Sequence, residues 1–297
     1  MDYREQNKWF ITSSKFKLYW DSKEAFKKVY IDEVPLDFLK ESPSMEKGTM
    51  ADEYILTRDE FNKHYAFPVW WGKKADLIEE CARLWIPVDK SDKVDDLKAK
   101  LYGNRKVLTA WECEDMLWMD RELKRQPLFD YDGEYEAQKE LIVEYEGMKL
   151  KAKIDRIGKG LIRDLKTTKD MKYNSYYEMT EFENMLCNND MYKYGFQLAW
   201  YVFLNFVHTK KWYDGVIDAI KPTGNYAYES YFYPSSVLQR IISTVIIPKL
   251  KELKEDMESG QFIDHVDRST LVDNRYYPIL DTAIQKDFQI IATPFYD

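Results

Sequence analysis

The chain has 297 residues, of which 45% are hydrophobic and 16% aromatic, so it can bury the core of one large domain or two small ones. No apolar run reaches the roughly 18 to 20 residues that a membrane span needs, and the first residues lack the apolar core of a secretion signal. The net charge of −8 argues against a general polyanion binder. We therefore expect no membrane contact and a cytoplasmic protein.

Residues 1–130 are predicted to form a mostly helical N-terminal part. An amphipathic pattern over residues 8–31 follows the capping side chains of residues 12–14 and predicts the first helix. The buried side of this helix is predicted to consist of Phe16, Tyr19, Trp20, Phe26 and Tyr30.

The pair Gly48-Thr49 predicts the start of a second helix. Asp52 and Glu53 would then lie in its first turn, where acids favour the helix dipole. The side chains predicted to point inward are Met50, Tyr54 and Phe61.

The loop at residues 67–74 carries two adjacent tryptophans and two lysines, which either stack on nucleic-acid bases or tuck into the core. Residues 75–126 predict helices rich in acids and lysines. The cysteines are odd in number and far apart, so we expect reduced, buried thiols rather than disulfides or a CxxC metal site. They are Cys81, Cys113 and Cys187.

The segment from Glu140 to Asp170 predicts three short strands joined by two tight turns, one at Gly147 and one at Gly158 and Gly160. The middle strand alternates apolar residues with lysines, as a strand between a core and a polar face does. This segment is the centre of the predicted fold.

Paired carboxylates are the chemical feature of this hairpin. In the last strand Asp164 and Lys166 share one face while Leu165 points into the core, and pairing with the middle strand brings Asp155 beside Asp164. Two carboxylates and a lysine on one exposed sheet face could hold a hard divalent cation against a phosphate. The alternative is an edge hairpin with a charged solvent face.

Charge is concentrated in the same region. Residues 149–172 hold nine Lys or Arg and three Asp, a local charge of +6 on an otherwise acidic chain. This strip either grips one anionic ligand or consists of solvated lysines without a function.

Residues 171–188 predict a loop and a short helix over the sheet, followed by an apolar helix of roughly 17 residues in which Gln197 and Tyr201 share a face. Residues 212–234 predict a second hairpin that extends the sheet. Residues 235–258 predict a helix, and the remaining tail reads as irregular.

The order KIDRI, DLKTT and then a helix with Gln-x-x-x-Tyr resembles the PD-(D/E)XK nuclease superfamily, specifically its RecB/RecE-type exonuclease branch. The resemblance implies an α/β (α+β-like) fold with a central mixed sheet flanked by helices, a restriction-endonuclease-like core. It implies one domain over residues 1–297, with the catalytic sheet and Gln-x-x-x-Tyr helix in residues 131–234 and a C-terminal helix and tail in residues 235–297.

The resemblance also implies the site. Asp155 and Asp164 would bind Mg²⁺ or Mn²⁺ with the carbonyl of Leu165, and Lys166 would serve the attacking water. Glu140 matches an acid that often completes the site, as a catalytic residue or a ligand. Asp52 occupies the place of a metal-binding His in a GxxxH motif. The residues expected to contact DNA are Gln197, Tyr201, Lys151, Lys153, Arg156 and Thr167.

The implied activity is a metal-dependent DNA exonuclease acting on linear double- or single-stranded DNA in recombination, repair or phage DNA metabolism, in a bacterial or phage-infected cell. A homo-oligomer and a single-strand annealing or recombination protein are the partners expected beside DNA. Two alternatives stay open: a catalytically inactive nuclease fold that binds DNA or a protein, and a structural protein with an aromatic interface. The scattered cysteines argue against the iron–sulfur cluster of some relatives.

Overall fold

The computed structural model describes residues 10–33, 43–69, 72–130, 133–168, 173–174, 179–180, 191–222 and 227–263. The helices are α1 (Ser13–Asp21), α2 (Lys23–Phe26), α3 (Pro43–Leu56), α4 (Arg58–His64), α5 (Lys74–Arg83), α6 (Val94–Tyr102), α7 (Ala110–Arg125), α8 (Met191–Thr209), α9 (Ser235–Ile241) and α10 (Ile247–Ser259). The strands are β1 (Tyr65–Ala66), β2 (Lys106–Val107), β3 (Glu136–Tyr145), β4 (Met148–Gly158), β5 (Leu161–Thr167), β6 (Tyr173–Asn174), β7 (Met179–Thr180), β8 (Asp214–Ile220) and β9 (Tyr228–Tyr233).

A five-stranded mixed sheet in the order β3-β4-β5-β8-β9 forms the centre of the fold. Its neighbours pair antiparallel except β5 and β8, which are parallel. Parallel strands need a crossover connection, and α8 lies between β5 and β8 in the chain and packs on the sheet. The predicted fold class, a mixed sheet flanked by helices, is confirmed.

Helices cover both faces of this sheet. On one face α8 packs with α1, α2, α9 and α10 in a large core that includes Trp200 and Phe16. On the other face α3, α4 and α7 pack around Leu165 and Ile220. Helices α5 and α6 form a smaller cluster of their own around Leu77.

The first predicted helix is divided at Ser22. Thr12 caps α1, and Ser22 ends it in an extended conformation and caps α2 in turn, because its Oγ accepts from Ala25 N at 3.1 Å. A π-helical turn, Lys27–Ile31, follows. Phe16, Tyr19 and Phe26 are buried as predicted.

The second predicted helix begins earlier than expected. Helix α3 starts at Pro43, because proline is pre-organised for a first helical turn, and Gly48 and Thr49 lie in its interior. Asp52 and Glu53 therefore lie in a later turn, and the prediction that they occupy the first turn is wrong. A Cβ atom at Gly48 would lie 3.7 Å from Thr167 Oγ1, so α3 crosses the C-terminal end of β5 at this glycine.

The hairpins match the predicted hairpins where the structure describes them. The turn after β3 contains Gly147, the turn after β4 contains Gly160, and β8 and β9 extend the sheet. The predictions about the two tryptophans, Cys187 and the tail lie outside the described residues. The undescribed ranges are 1–9, 34–42, 70–71, 131–132, 169–172, 175–178, 181–190, 223–226 and 264–297. Cys81 and Cys113 are buried free thiols, as expected. No described helix is long and apolar enough to cross a membrane.

Candidate active site

The candidate site lies where β4 and β5 separate. Their ladder has three residue pairs, from Gly158↔Leu161 to Arg156↔Arg163. One position further along, Asp155 Oδ2 accepts a hydrogen bond from Leu165 N at 2.9 Å, so a side chain occupies the place of the next ladder bond. The regular pairing of β4 with β5 therefore ends beside Asp164.

The side-chain alternation of β4 breaks at the same position. Ile154 and Ile157 both pack in the α8-side core, although residues three apart in a regular strand face opposite ways. Arg156 faces the other layer, where its guanidinium donates to the carbonyls of Phe129 and Asp130, both at 2.6 Å. Asp155 is therefore turned toward β5 rather than aligned with the lysines of its own strand.

The carboxylate of Asp164 is fully buried, with 0% of the residue exposed. Neither of its oxygens receives a well-formed hydrogen bond from the described residues, although Lys166 Nζ lies 2.7 Å from Oδ2. Burial raises the pKa of Asp164 to about 7; Lys166 counteracts that rise, and Asp155 adds to it. The sequence predicted an exposed face, and the structure corrects this because helices cover both sides of the sheet.

Lys166 carries the positive charge of the cluster. Burial alone would lower the pKa of its ammonium group, but Asp164 and Asp155 outweigh burial and raise it. Its side chain is 19% exposed, and its Nζ lies 5.6 Å from the ring centroid of Tyr194 on α8. Lys166 is therefore a charged group that retains access to the surface.

Asp52 joins the cluster from α3. Burial raises the pKa of Asp52 well above its usual value, and Asp155 raises it further, while Lys166 lowers it. The pKa of Asp155 is also raised by burial, against the effects of Lys166 and of the Leu165 and Gln138 hydrogen bonds. These mutual effects place the three acids and the lysine within electrostatic reach of one another.

The donor set suits a hard divalent cation. A buried carboxylate that ion-pairs with Lys166, next to a second carboxylate, offers oxygen ligands to Mg²⁺ or Mn²⁺. As the described side chains stand, no group of three His, Cys, Asp or Glu converges closely enough to enclose an ion. Mg²⁺ commonly binds through one or two carboxylates and keeps several waters, so two carboxylates could hold it. The assignment of Asp155 and Asp164 as its ligands stays a prediction.

Gln138 is a site residue that the sequence did not predict. Its Nε2 donates to Asp155 Oδ1 at 3.0 Å from the neighbouring strand β3. Glu140, the acid predicted for this strand, lies two residues further along, opposite Lys153. Glu140 is exposed and ion-pairs with Lys151. Its roles as catalytic group and ligand stay predictions.

The predicted basic strip is divided between surface and interior. Arg156 is 5% exposed and its guanidinium is held by two carbonyls, so it serves packing and does not lie where DNA could reach it, contrary to the prediction. Arg163 is equally buried in a bidentate pair with Asp218, at 2.8 and 2.7 Å. The alternation of a strand predicts on which face of the sheet these arginines lie, but it does not predict which other elements cover that face.

Lys153 is exposed, and its charge lowers the pKa of both Asp52 and Asp155, so it lies beside the acid cluster. On α8, Gln197 Nε2 donates to the hydroxyl of Tyr201, as their spacing predicted. Thr167 is partly buried at the end of β5 against Gly48. Contact between these residues and DNA stays a prediction.

The model of a family described as "PDDEXK-like domain of unknown function (DUF3799)" matches residues 12–258. The chain belongs to this family. The predicted superfamily is thereby confirmed. A crystal structure from Eubacterium rectale, of a protein described as a "putative exonuclease", is similar with a TM-score of 0.54 and 14% identity over 94% of both chains. Similarity at that identity concerns the fold alone. No curated protein matches the sequence.

Proposed function

We propose that this protein is a divalent-metal-dependent deoxyribonuclease that removes nucleotides from DNA ends, as in the RecB/RecE-type branch, in recombination, repair or phage DNA metabolism. The observation that carries the proposal is the buried Asp164 carboxylate, which ion-pairs with Lys166 at 2.7 Å, accepts no well-formed hydrogen bond from the described residues and lies beside Asp155. Family membership and the "putative exonuclease" description of the Eubacterium rectale protein support a nuclease.

Asp155 and Asp164 would hold the Mg²⁺ or Mn²⁺, with the Leu165 carbonyl and Asp52 as further ligands. When bound, the cation would neutralise charge on the phosphoryl oxygens and lower the pKa of a water. Leu165 N and Gln138 Nε2 hold the Asp155 carboxylate in place for this role.

Lys166 would place its ammonium against the scissile phosphate and the attacking water. Its raised pKa keeps it protonated at neutral pH, so it acts as a hydrogen-bond donor and an electrostatic stabiliser rather than as a base. Lys153, exposed beside the acids, would contact the DNA backbone, and that contact would weaken with salt.

Cleavage of end-labelled linear and closed circular DNA with Mg²⁺, Mn²⁺ or chelator tests the proposal. We expect degradation of linear DNA only, dependent on metal, and abolished in Asp164→Ala and Lys166→Ala. Lys159→Ala is the matched control, since Lys159 is exposed and pairs with Asp130. Full activity of Lys166→Ala would overturn the site assignment, and cleavage of closed circles would overturn the exonuclease mode.

A catalytically inactive relative that binds DNA or a protein is the second candidate. The observation that favours it is Asp52, which stands where the branch tends to have a metal-binding His. DNA binding by the wild-type protein without cleavage in either metal would support this candidate over the nuclease.

A further inference from the structure

Gln138 has a backbone conformation unlike that of any other described strand residue outside the turns. Its φ of 51° lies in the left-handed region, inside the ten-residue strand β3. The other non-glycine residues with positive φ in the described chain lie at turns or after helix ends. Such a conformation costs about 1 to 3 kcal/mol and persists only where its surroundings demand it.

This conformation changes which way the side chains of β3 point. Ala137 pairs with Arg156 and Lys139 pairs with Ile154, and these two partners face opposite layers of the fold. The alternation of β3 therefore breaks at Gln138, directly beside the break of β4 at Asp155. The two residues at the break are joined by the hydrogen bond from Gln138 Nε2 to Asp155 Oδ1.

The bond completes the support of the Asp155 carboxylate. Oδ1 accepts from Gln138 at 3.0 Å and Oδ2 accepts from Leu165 N at 2.9 Å, so both oxygens are anchored and the carboxylate plane is fixed. Each oxygen keeps a lone pair for a further partner. Asp164 accepts no well-formed hydrogen bond from the described residues, and Lys166 is its ion-pair partner.

An amide suits this position better than a carboxylate. Asp52, Asp155 and Asp164 already bring three acids against the ammonium groups of Lys166 and Lys153. Gln138 supplies a donor to Asp155 without adding a fourth negative charge.

We propose that Gln138 is a positioning residue for the reaction: it orients the Asp155 carboxylate for cation binding and thereby sets the affinity of the site for its metal. This inference rests on the proposed function of the acid cluster as a cation site. Loss of a hydrogen bond that orients a metal ligand typically weakens metal binding by about 10- to 100-fold.

Calorimetric titration of the full chain with Mn²⁺ tests the inference. Gln138→Met keeps the length and backbone preference of the side chain but removes the donor. We expect its Mn²⁺ Kd to rise about 10- to 100-fold, its KM for DNA to stay unchanged, and its kcat to recover at saturating Mn²⁺. Gln126→Met is the matched control, because Gln126 also donates to a carboxylate, Glu122, at the end of α7. It should bind Mn²⁺ like the wild type.

The outcomes separate the two proposals. If the wild type binds Mn²⁺ and Gln138→Met binds it equally well, the inference is wrong and the proposed function stands. If the wild type binds no Mn²⁺, the proposed function fails and the inference fails with it. Gln138→Gly removes the amide while relieving the left-handed backbone, so it replaces the Met variant should that variant fail to fold. A loss of kcat that excess Mn²⁺ does not restore would also overturn the inference.

Discussion

The buried carboxylate of Asp164 should make the metal-free protein less stable as the pH rises. Asp164 is fully buried, and neither oxygen receives a well-formed hydrogen bond from the described residues. Its pKa is raised to about 7, mainly by burial, whereas the same carboxyl group titrates near 3.8 when it is unperturbed. The folded protein must therefore accommodate a charge that the unfolded chain exposes to water.

The sign and size of the effect follow from these two pKa values. Below about pH 4 the carboxyl is protonated in both states and has no effect. Between about pH 4 and pH 7 the folded state keeps the proton that the unfolded state loses, so the free energy of unfolding falls by about 1.4 kcal/mol per pH unit. From pH 5 to pH 7 this amounts to about 2 to 3 kcal/mol, with little further change above pH 8.

Asp164→Asn removes this penalty, so the variant should gain stability over the wild type by about 2 kcal/mol between pH 5 and pH 8. In this variant, Asp155 and Asp52 still compensate the positive charge of Lys166. Urea unfolding in chelator at several pH values measures the difference. Asp130→Asn is the control, because Lys159 lowers the pKa of exposed Asp130 and its effect should stay constant over this range.

A difference between Asp164→Asn and the wild type that does not change with pH would refute the raised pKa of the buried Asp164 carboxylate. Metal provides a second readout on the same protein. Mg²⁺ or Mn²⁺ should raise the melting temperature of the wild type at pH 8 and leave that of Asp164→Asn unchanged.

Two further predictions concern the scaffold, and both are measured by chemical denaturation. A Cβ atom at Gly215 would lie 2.5 Å from a side-chain atom of α8, so Gly215→Ala should lower the free energy of unfolding by about 1 to 3 kcal/mol. Gly48→Ala meets only ordinary contact inside a helix and should raise the free energy of unfolding by up to about 1 kcal/mol. Equal effects of the two substitutions would contradict the packing. Arg163→Met leaves Asp218 buried without its cation and should lower the free energy of unfolding by about 3 to 5 kcal/mol. The control Lys159→Met should have no measurable effect. An Arg163→Met variant as stable as the wild type would show that the pair is not buried.

The sequence predicted those parts of the site that depend on neighbouring residues. Period-2 alternation and glycine turns located β3, β4 and β5. The sequence also predicted that Asp155 and Asp164 lie side by side if β4 and β5 pair. In the structure, Asp155 lies one position beyond the last pair, Arg156↔Arg163, and therefore beside Asp164. The i, i+4 spacing predicted the contact of Gln197 with Tyr201. Each of these inferences needs only the local geometry of one strand, one turn or one helix.

Other features depended on packing that no local pattern records. A lysine and an arginine read alike along a strand, yet Lys153 is exposed while Arg156 is enclosed by the carbonyls of Phe129 and Asp130. Gln138 gave no signal, because a glutamine in a polar strand is ordinary until its partner is known. The start of α3 was misplaced because Gly48 lies inside the helix, where it makes ordinary contact with Thr167, rather than at a helix terminus.

The sequence by itself determined the strands, the turns and the pair of acids that could meet on them, because backbone periodicity is a property of consecutive residues. The tertiary structure alone decided that Asp164 is buried, that β4 and β5 separate at Asp155, and that α3 brings Asp52 to the same place. Desolvation and strand separation arise from elements far apart in the chain. Burial is also the largest cause of the raised pKa of Asp164.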